Sequence, residues 1–176
     1  MLETRFSKKK PGFGVEEPHL VIREFRIGDE QALRVVYFNA VHQTAVKNYS
    51  PEQVNAWAPE DYDAVAWSER IQGIRPFVVE HEGQIVAYAD VQTNGYIDHF
   101  YVSPTVGRQG VGSLLMRKIH ETAASKNMAE LFSHVSLTAR PFFEKWGFVV
   151  EETRTVSVRG VSMNNFRMRK SLNGHA

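Results

Sequence analysis

Eleven consecutive residues, Val102-Ser-Pro-Thr-Val-Gly-Arg-Gln-Gly-Val-Gly112, hold the pattern in this chain most able to do chemistry. The apolar run Tyr96–Val102 leads into them, and the amphipathic segment Ser113–His120 leads out. A strand thus runs into a basic, glycine-rich turn that opens a helix. The first amides of a helix have no acceptor within it and sit at the positive end of its dipole. Such a turn suits a phosphate or pyrophosphate. Two common phosphate loops are excluded by spacing. No Gly-x-x-x-x-Gly-Lys-Ser/Thr string occurs, and a Gly-x-Gly-x-x-Gly fingerprint starting at Gly110 and Gly112 fails at Leu115.

A second block stands downstream: Val135-Ser-Leu-Thr-Ala-Arg-Pro-Phe-Phe-Glu-Lys-Trp-Gly-Phe148. Together the two blocks resemble the GNAT superfamily of N-acetyltransferases. That family carries Gln/Arg-x-x-Gly-x-Gly/Ala after a strand ending in Val-x-Pro. Later it carries Asn/Ser-x-x-Ala and then Phe-Tyr-Glu-Lys-x-Gly-Phe. This chain departs from the pattern at two places, with Gly107 for the first loop residue and Phe143 for the tyrosine. Arg108 and Gln109 adjoin Gly107 and can supply the missing donors. The resemblance runs from about Leu20 to Lys170. Within the superfamily, the string from Asn48 to Pro59 resembles the YafP-like branch.

The resemblance implies acetyl-CoA as co-substrate, with no metal. The loop Val106, Gly107, Arg108, Gln109, Gly110, Val111, Gly112 and Ser113 would hold its pyrophosphate. The backbone of Phe100, Tyr101 and Val102 would pair with the pantetheine arm like an added strand, and one N–H there would polarise the thioester carbonyl. Ser136 would touch pantetheine, and Phe143 would pack beside the acyl arm. The implied reaction is direct transfer of an acetyl group to a primary amine of a small molecule or peptide. Two alternatives stay open: an acyl-CoA-binding module without turnover, and an acetyltransferase that modifies protein or tRNA.

Transfer to an amine requires a base. Asp98 lies on the strand before the loop and shares its side-chain direction with Tyr96 and Phe100 through the period of two. A carboxylate there can take a proton directly or through water. His99 points the other way, toward core; His42 and His134 are the other candidates. Phe143 cannot donate a proton, so the usual acid has no occupant. A thiol with pKa about 8.5 leaves tolerably without one, and water or Tyr101 can substitute. The acceptor wall draws on Phe38 and His42, which share a face of the first helix, with Trp57, Trp67 and Tyr88. Acidic Glu52, Glu60, Asp61 and Asp63 lie nearby. Aromatics at these spacings serve equally well as core.

These residues must be positioned by a single α/β domain of 176 residues, long enough to bury a core without staples. The domain proper is expected over residues 19–172. A flexible tail is expected over 1–18 and a short one over 173–176. The fold implied is a mixed, mostly antiparallel central sheet with helices on both faces. Hydrophobic residues make up 43% of the chain, and no apolar run reaches the length of a membrane span, so no membrane partner is expected. Cysteine is absent, which removes disulfides and thiolate metal sites. A net charge of +1 argues against nucleic acid as a partner. Ser7-Lys-Lys-Lys10 precedes Pro and Gly rather than an apolar core, so no secretory leader is read and the cytoplasm is the expected compartment. A homodimer is allowed.

Strands are expected at Leu20–Phe25, Phe77–Glu80 and Gln84–Val91, the last two as an antiparallel hairpin. Others fall at Tyr96–Val102, Glu130–Val135, Val149–Val158 and Ser162–Met168. Helices are expected over Asp29–His42, from a capping box at Ser50-Pro-Glu-Gln53, over Tyr62–Gln72 ending at Gly73, from Gly110, and over Thr138–Trp146. Pro141 fits the first turn of the last helix, and Gly147 ends it.

Overall fold

The structure, a computed structural model, describes residues 19–173. The tails expected over 1–18 and, apart from Asn173, over 173–176 lie outside that range. Eight strands and five α-helices are described. The strands are β1 Leu20–Glu24, β2 Phe77–His81, β3 Gln84–Ala89, β4 Tyr96–Ile97, β5 Phe100–Val102, β6 Glu130–Ser136, β7 Val149–Val158 and β8 Val161–Ser171. The helices are α1 Glu30–Asn39, α2 Pro51–Trp57, α3 Ala64–Ile74, α4 Val111–Ser125 and α5 Arg140–Lys145.

The sheet is mixed α/β in architecture, with one parallel pairing, β4 with β6, among otherwise antiparallel ones. It is divided. One half has the order β1-β2-β3-β5 and the other β4-β6-β8-β7. Successive side chains of the first half face different helices, as the period of two requires. Val79, Ala87 and Ala89 pack with Val111, Leu115, Met116 and Ile119 of α4. Val78 and Tyr88 pack with Leu33, Val36 and Ile71 of α1 and α3. Helices therefore cover both faces.

The run Tyr96–Val102, expected as one strand, breaks at Asp98 and His99. Its first residues pair with β6 and its last with β3. The break leaves the amides of Asp98 and His99 without a ladder partner. The Asp90 carboxylate accepts from both, at 3.0 and 2.6 Å. Asp90 was expected inside strand Gln84–Val91; β3 instead ends at Ala89, and Asp90 is 1% exposed. Gly95 allows the parallel pairing. Its φ is +87°, and a Cβ there would lie 2.1 Å from the Glu130 carbonyl oxygen.

Local signals acted as physics requires. Ser50 accepts from the Gln53 N–H at 3.2 Å while the Gln53 side chain accepts from Ser50 N–H at 2.9 Å. Pro141 lies in the first turn of α5, and Gly147 follows with φ +85°. Two helix ends differ from expectation. α3 runs through Gly73 to Ile74, and Arg75 takes the left-handed conformation with φ 44°. The first helix stays α only to Asn39, and Ala40–Thr44 form a π turn. Such turns recur at functional sites.

Candidate active site

The division of the sheet opens a gap beside β5. One edge of β5 pairs with β3, and β5 is the last strand of its half, so the other edge faces the gap. A cavity of about 270 Å³ fills it, lined by Phe100, Tyr101 and Val102 on one side and Ser133–Ser136 on the other. Phe142 and Phe143 of α5, Gly112 of α4, and the π turn complete the wall. An unpaired strand edge in an apolar cleft is built to take an extended amide-bearing chain as a further strand.

The glycine loop stands at one end of this cleft. α4 has no side-chain cap, Gly110 at its N-cap has φ +78°, and Arg108 is left-handed with φ 64°. Left-handed residues in succession with others make concave backbone anion sites. Gly107, Arg108, Gln109 and Gly110 are exposed, whereas the side chains of Val106 and Val111 are core. Only the backbones of those two valines can serve an anion. Gly112 approaches the cleft closely, since a Cβ there would meet the Phe142 ring at 3.3 Å.

Ser136 lines the cleft, and its hydroxyl accepts from Ala139 N–H at 3.0 Å. It therefore holds the turn before α5 and keeps its own proton to donate. Phe143 is 2% exposed, between the rings of Phe100 and Phe148 at 5.7 and 5.0 Å.

A second cavity of about 400 Å³ lies on the other side of β5, lined by Tyr37, Tyr62, Trp67, Arg34, Arg70, Arg159, Asp63 and His99 among others. Trp57, Asp98 and Tyr101 line both cavities. Asp98 is thus where they meet. Its Oδ2 accepts from Arg70 at 2.5 Å, and its Oδ1 accepts from the Tyr96 hydroxyl at 3.3 Å. The Tyr96 oxygen lies 3.4 Å from His134 Nδ1, and His134 is exposed, so a chain of polar groups leads from Asp98 outward. Burial pushes the Tyr96 phenol up to about 12 and lowers His134 below the usual imidazole value.

His99 is buried, as its alternate position on the strand predicts. Its Nδ1 meets the Tyr88 hydroxyl at 3.0 Å, and its Nε2 accepts from Arg70 at 3.2 Å. Burial holds its pKa well below the ordinary value, so the ring is neutral. Burial pushes Tyr101 well above the usual phenol range and Tyr37 up to about 12. Both hydroxyls therefore keep their protons at neutral pH. Burial also raises Asp90 to about 6.

Three expected acceptor-wall residues lie elsewhere. Tyr88 is fully buried, because the strand period aims it under α1 and α3, behind His99. Phe38 and His42 do share a face, and their rings stack at 4.0 Å. His42 Nε2, however, is spent on the Ala58 carbonyl at 2.7 Å, and neither residue lines either of these two cavities. Trp57 and Trp67 do line the second cavity, as does Asp63, which caps α3. Glu52, Glu60 and Asp61 do not.

Sequence reading missed Arg34, Tyr37, Tyr62, Arg70, Arg159 and Asp90. Arg34 and Tyr37 are three apart on α1, a helical neighbour spacing that could have paired them. The others come from three separate segments, around α3, after β3 and between β7 and β8, and left no shared signal. Among the described residues, no cluster of His, Asp or Glu could hold a metal ion, and no helix is long and apolar enough to cross a membrane.

Comparison with known proteins agrees with this architecture. Residues 45–172 match the acetyltransferase (GNAT) domain. A curated relative, the uncharacterized N-acetyltransferase YafP of Escherichia coli K12, is 34% identical over 151 residues, covering 86% of this chain and 95% of YafP. A GCN5-related N-acetyltransferase from Rhodopseudomonas palustris superposes with TM-score 0.82 at 28% identity, over 89% of this chain and 97% of that one. The fold is also shared, at 19% identity and TM-score 0.70, with PaiA N-acetyltransferase from Thermoplasma acidophilum, solved in complex with coenzyme A; 87% of this chain and 99% of that one are covered. The chain is a member of the GNAT acetyltransferases, on the side of that family where YafP stands.

Proposed function

We propose that the protein moves the acetyl group of acetyl-CoA directly to a primary amine of a small molecule or peptide. One observation carries this reading: an apolar cleft along an unpaired strand edge, lined by Gly112 where the glycine loop enters its helix, meets a polar cavity at a single carboxylate, Asp98. The loop amides and Arg108 would bind the pyrophosphate. The free edge of β5 would pair with the pantetheine amides, with Ser136 as a further donor. A β5 amide facing the cleft would donate to the thioester oxygen as charge develops there.

The amine would enter through the second cavity. Asp98 would take its ammonium proton, and the uncharged nitrogen would then attack the carbonyl carbon. The C–N bond forms, the C–S bond breaks, the sulfur leaves as thiolate, and the nitrogen, which still bears two protons and a positive charge, gives one of them up. Tyr96 and His134 would pass the collected proton outward. Tyr101, which lines both cavities, or water would relay that second amine proton to the sulfur, so that the phenol ends protonated as it began. The reading places the enzyme in the cytoplasm and leaves it free to pair with a second copy.

Thiol release from acetyl-CoA across a panel of primary amines tests the proposal. Amine-dependent release with a stoichiometric N-acetyl product is expected. Tight acetyl-CoA binding with no release on any amine would favour the non-catalytic module instead.

A further inference from the structure

The second cavity contains more positive charge than its ion pairs consume. Five charged side chains line it: Arg34, Arg70, Arg159, Asp63 and Asp98. Its histidine, His99, is neutral. Arg70 is paired with Asp98 at 2.5 Å. Asp63 spends Oδ1 on the amides of Val65 and Ala66. Among the described residues, Arg34 and Arg159 have no carboxylate within 4 Å.

Arg34 is the more telling of the two. It is only 5% exposed, and a buried guanidinium without a counter-charge is expensive to the fold. What holds it is aromatic. Its guanidinium carbon lies 4.2 Å from the Tyr62 ring centroid, 5.0 Å from Tyr37, 5.5 Å from Trp67 and 5.8 Å from Phe38. Cation–π contacts offset part of its desolvation without neutralising it. Its hydrogen bond runs from Nη2 to the Pro59 carbonyl, which leaves most of the fork's donors uncommitted. Arg159 reaches the cavity from the turn between β7 and β8. It is fixed by Nη1 on the Ala56 carbonyl at 2.6 Å. Two guanidiniums are therefore oriented in advance and lack an anion, in a cavity walled by flat rings.

We infer that the acceptor is an amine that carries its own carboxylate, of the aromatic amino-acid type. Arg34 and Arg159 take the carboxylate, for which the planar fork is the matching geometry. The rings of Trp57, Tyr62 and Trp67 take the flat apolar part. The amine is left toward Asp98 at the wall shared with the donor cleft. This inference rests on the second cavity being the acceptor site of the proposed acetyl transfer.

Binding and turnover are read separately. Binding is followed by the fluorescence of Trp57 and Trp67 on titration of the full chain, with and without coenzyme A, using aromatic amino acids each paired with its amide and its decarboxylated amine. At least one acid should bind tenfold or more tightly than both of its uncharged-end partners. Arg159→Gln, on an exposed side chain, should remove that preference. Arg34→Met should do the same where circular dichroism shows it folded. Amides or bare amines that bind as well as the acids throughout overturn the inference, and so does a preference that survives Arg159→Gln. Acids that bind selectively but release no thiol leave the inference standing and defeat the acetyl-transfer reading. Thiol release on bare amines with no preference for acids does the reverse.

Discussion

The two cavities flanking β5 are made in opposite ways. The first cavity is mostly backbone and apolar side chain: an unpaired strand edge, a helix start, and phenyl rings from α5. Its lining comes largely from two continuous blocks, 98–112 and 133–143. The second cavity, the proposed acceptor site, is side chains, with guanidiniums and rings from α1, α3, the end of α2 and the β7–β8 turn. A cleft that grips one fixed co-substrate through main-chain groups can be encoded by where glycine and strand edges fall. A cavity that selects an acceptor depends on which charges several distant segments bring together. Main-chain recognition is tolerant of side-chain identity, whereas side-chain recognition is lost with one substitution.

If that contrast holds, Asp98→Asn should separate the two halves. The side chain keeps its shape and loses its basic site. We expect kcat/KM to fall by about 10²–10⁴-fold, the worth of a positioned base, with acetyl-CoA affinity unchanged. Wild-type rates on a confirmed acceptor would pass the base role to His134. His42, already bonded to Ala58, is the weaker heir.

Gly112→Glu probes the donor side alone. The new Cβ presses on the Phe142 ring, and the carboxylate meets the pyrophosphate as a like charge. Acetyl-CoA affinity should drop on the order of 100-fold by calorimetry, the consequence of several kcal/mol of like-charge contact. The acidic-ligand fluorescence signal should persist. Unchanged acetyl-CoA affinity in a folded variant would remove the loop from the donor site.

Asp90 is buried and accepts from the Asp98 and His99 amides at the break in the strand run. Its pKa is raised in the folded state, chiefly by burial, from 3.8 to about 6. A carboxylic acid raised on folding favours the native state while both states are protonated. That contribution is lost as pH climbs from about 4 to about 6. At 1.36 kcal/mol per unit the loss is roughly 3 kcal/mol. Asp90→Asn keeps the acceptor oxygen for Asp98 and His99 and deletes the titration. Denaturant unfolding from pH 4 to 7 should show a downward contribution in the wild type that the variant lacks. Parallel profiles would show that Asp90 does not titrate in this window.

Phe143→Tyr should have the smallest effect. It restores the hydroxyl usual in the family at a position 2% exposed within the donor cleft. Left without a partner that hydroxyl would cost about 1–3 kcal/mol. Beside the leaving sulfur it has one. We expect a kcat increase of less than about tenfold, with acetyl-CoA affinity held. A folded variant that no longer binds acetyl-CoA would place Phe143 against the cofactor more tightly than the cleft suggests.

Much of the molecule was legible in one dimension because its determinants are local. The Ser50–Gln53 box, Pro141 at the start of α5, Gly147 after it and Gly110 at the start of α4 each act within a few residues. Strand alternation then told buried His99 from cleft-facing Asp98. Three things needed the folded chain. The break at Asp98 exists because Asp90, eight residues earlier, reaches across to two amides, and nothing in the apolar run Tyr96–Val102 announces it. The π turn at Ala40–Thr44, which buries Ala40 and Val41, continues α1 where the sequence reads only more helix. Phe38, His42 and Tyr88, expected in the acceptor wall, line neither of the two cavities, and an aromatic side chain reads the same in sequence whether it lines a cavity or fills a core. Only the crossing of elements decides which. Arg34 and Arg159 stand 125 positions apart in the chain. Their shared, uncancelled charge is a property of the cavity that α1 and the β7–β8 turn both line, and no spacing in the sequence contains it.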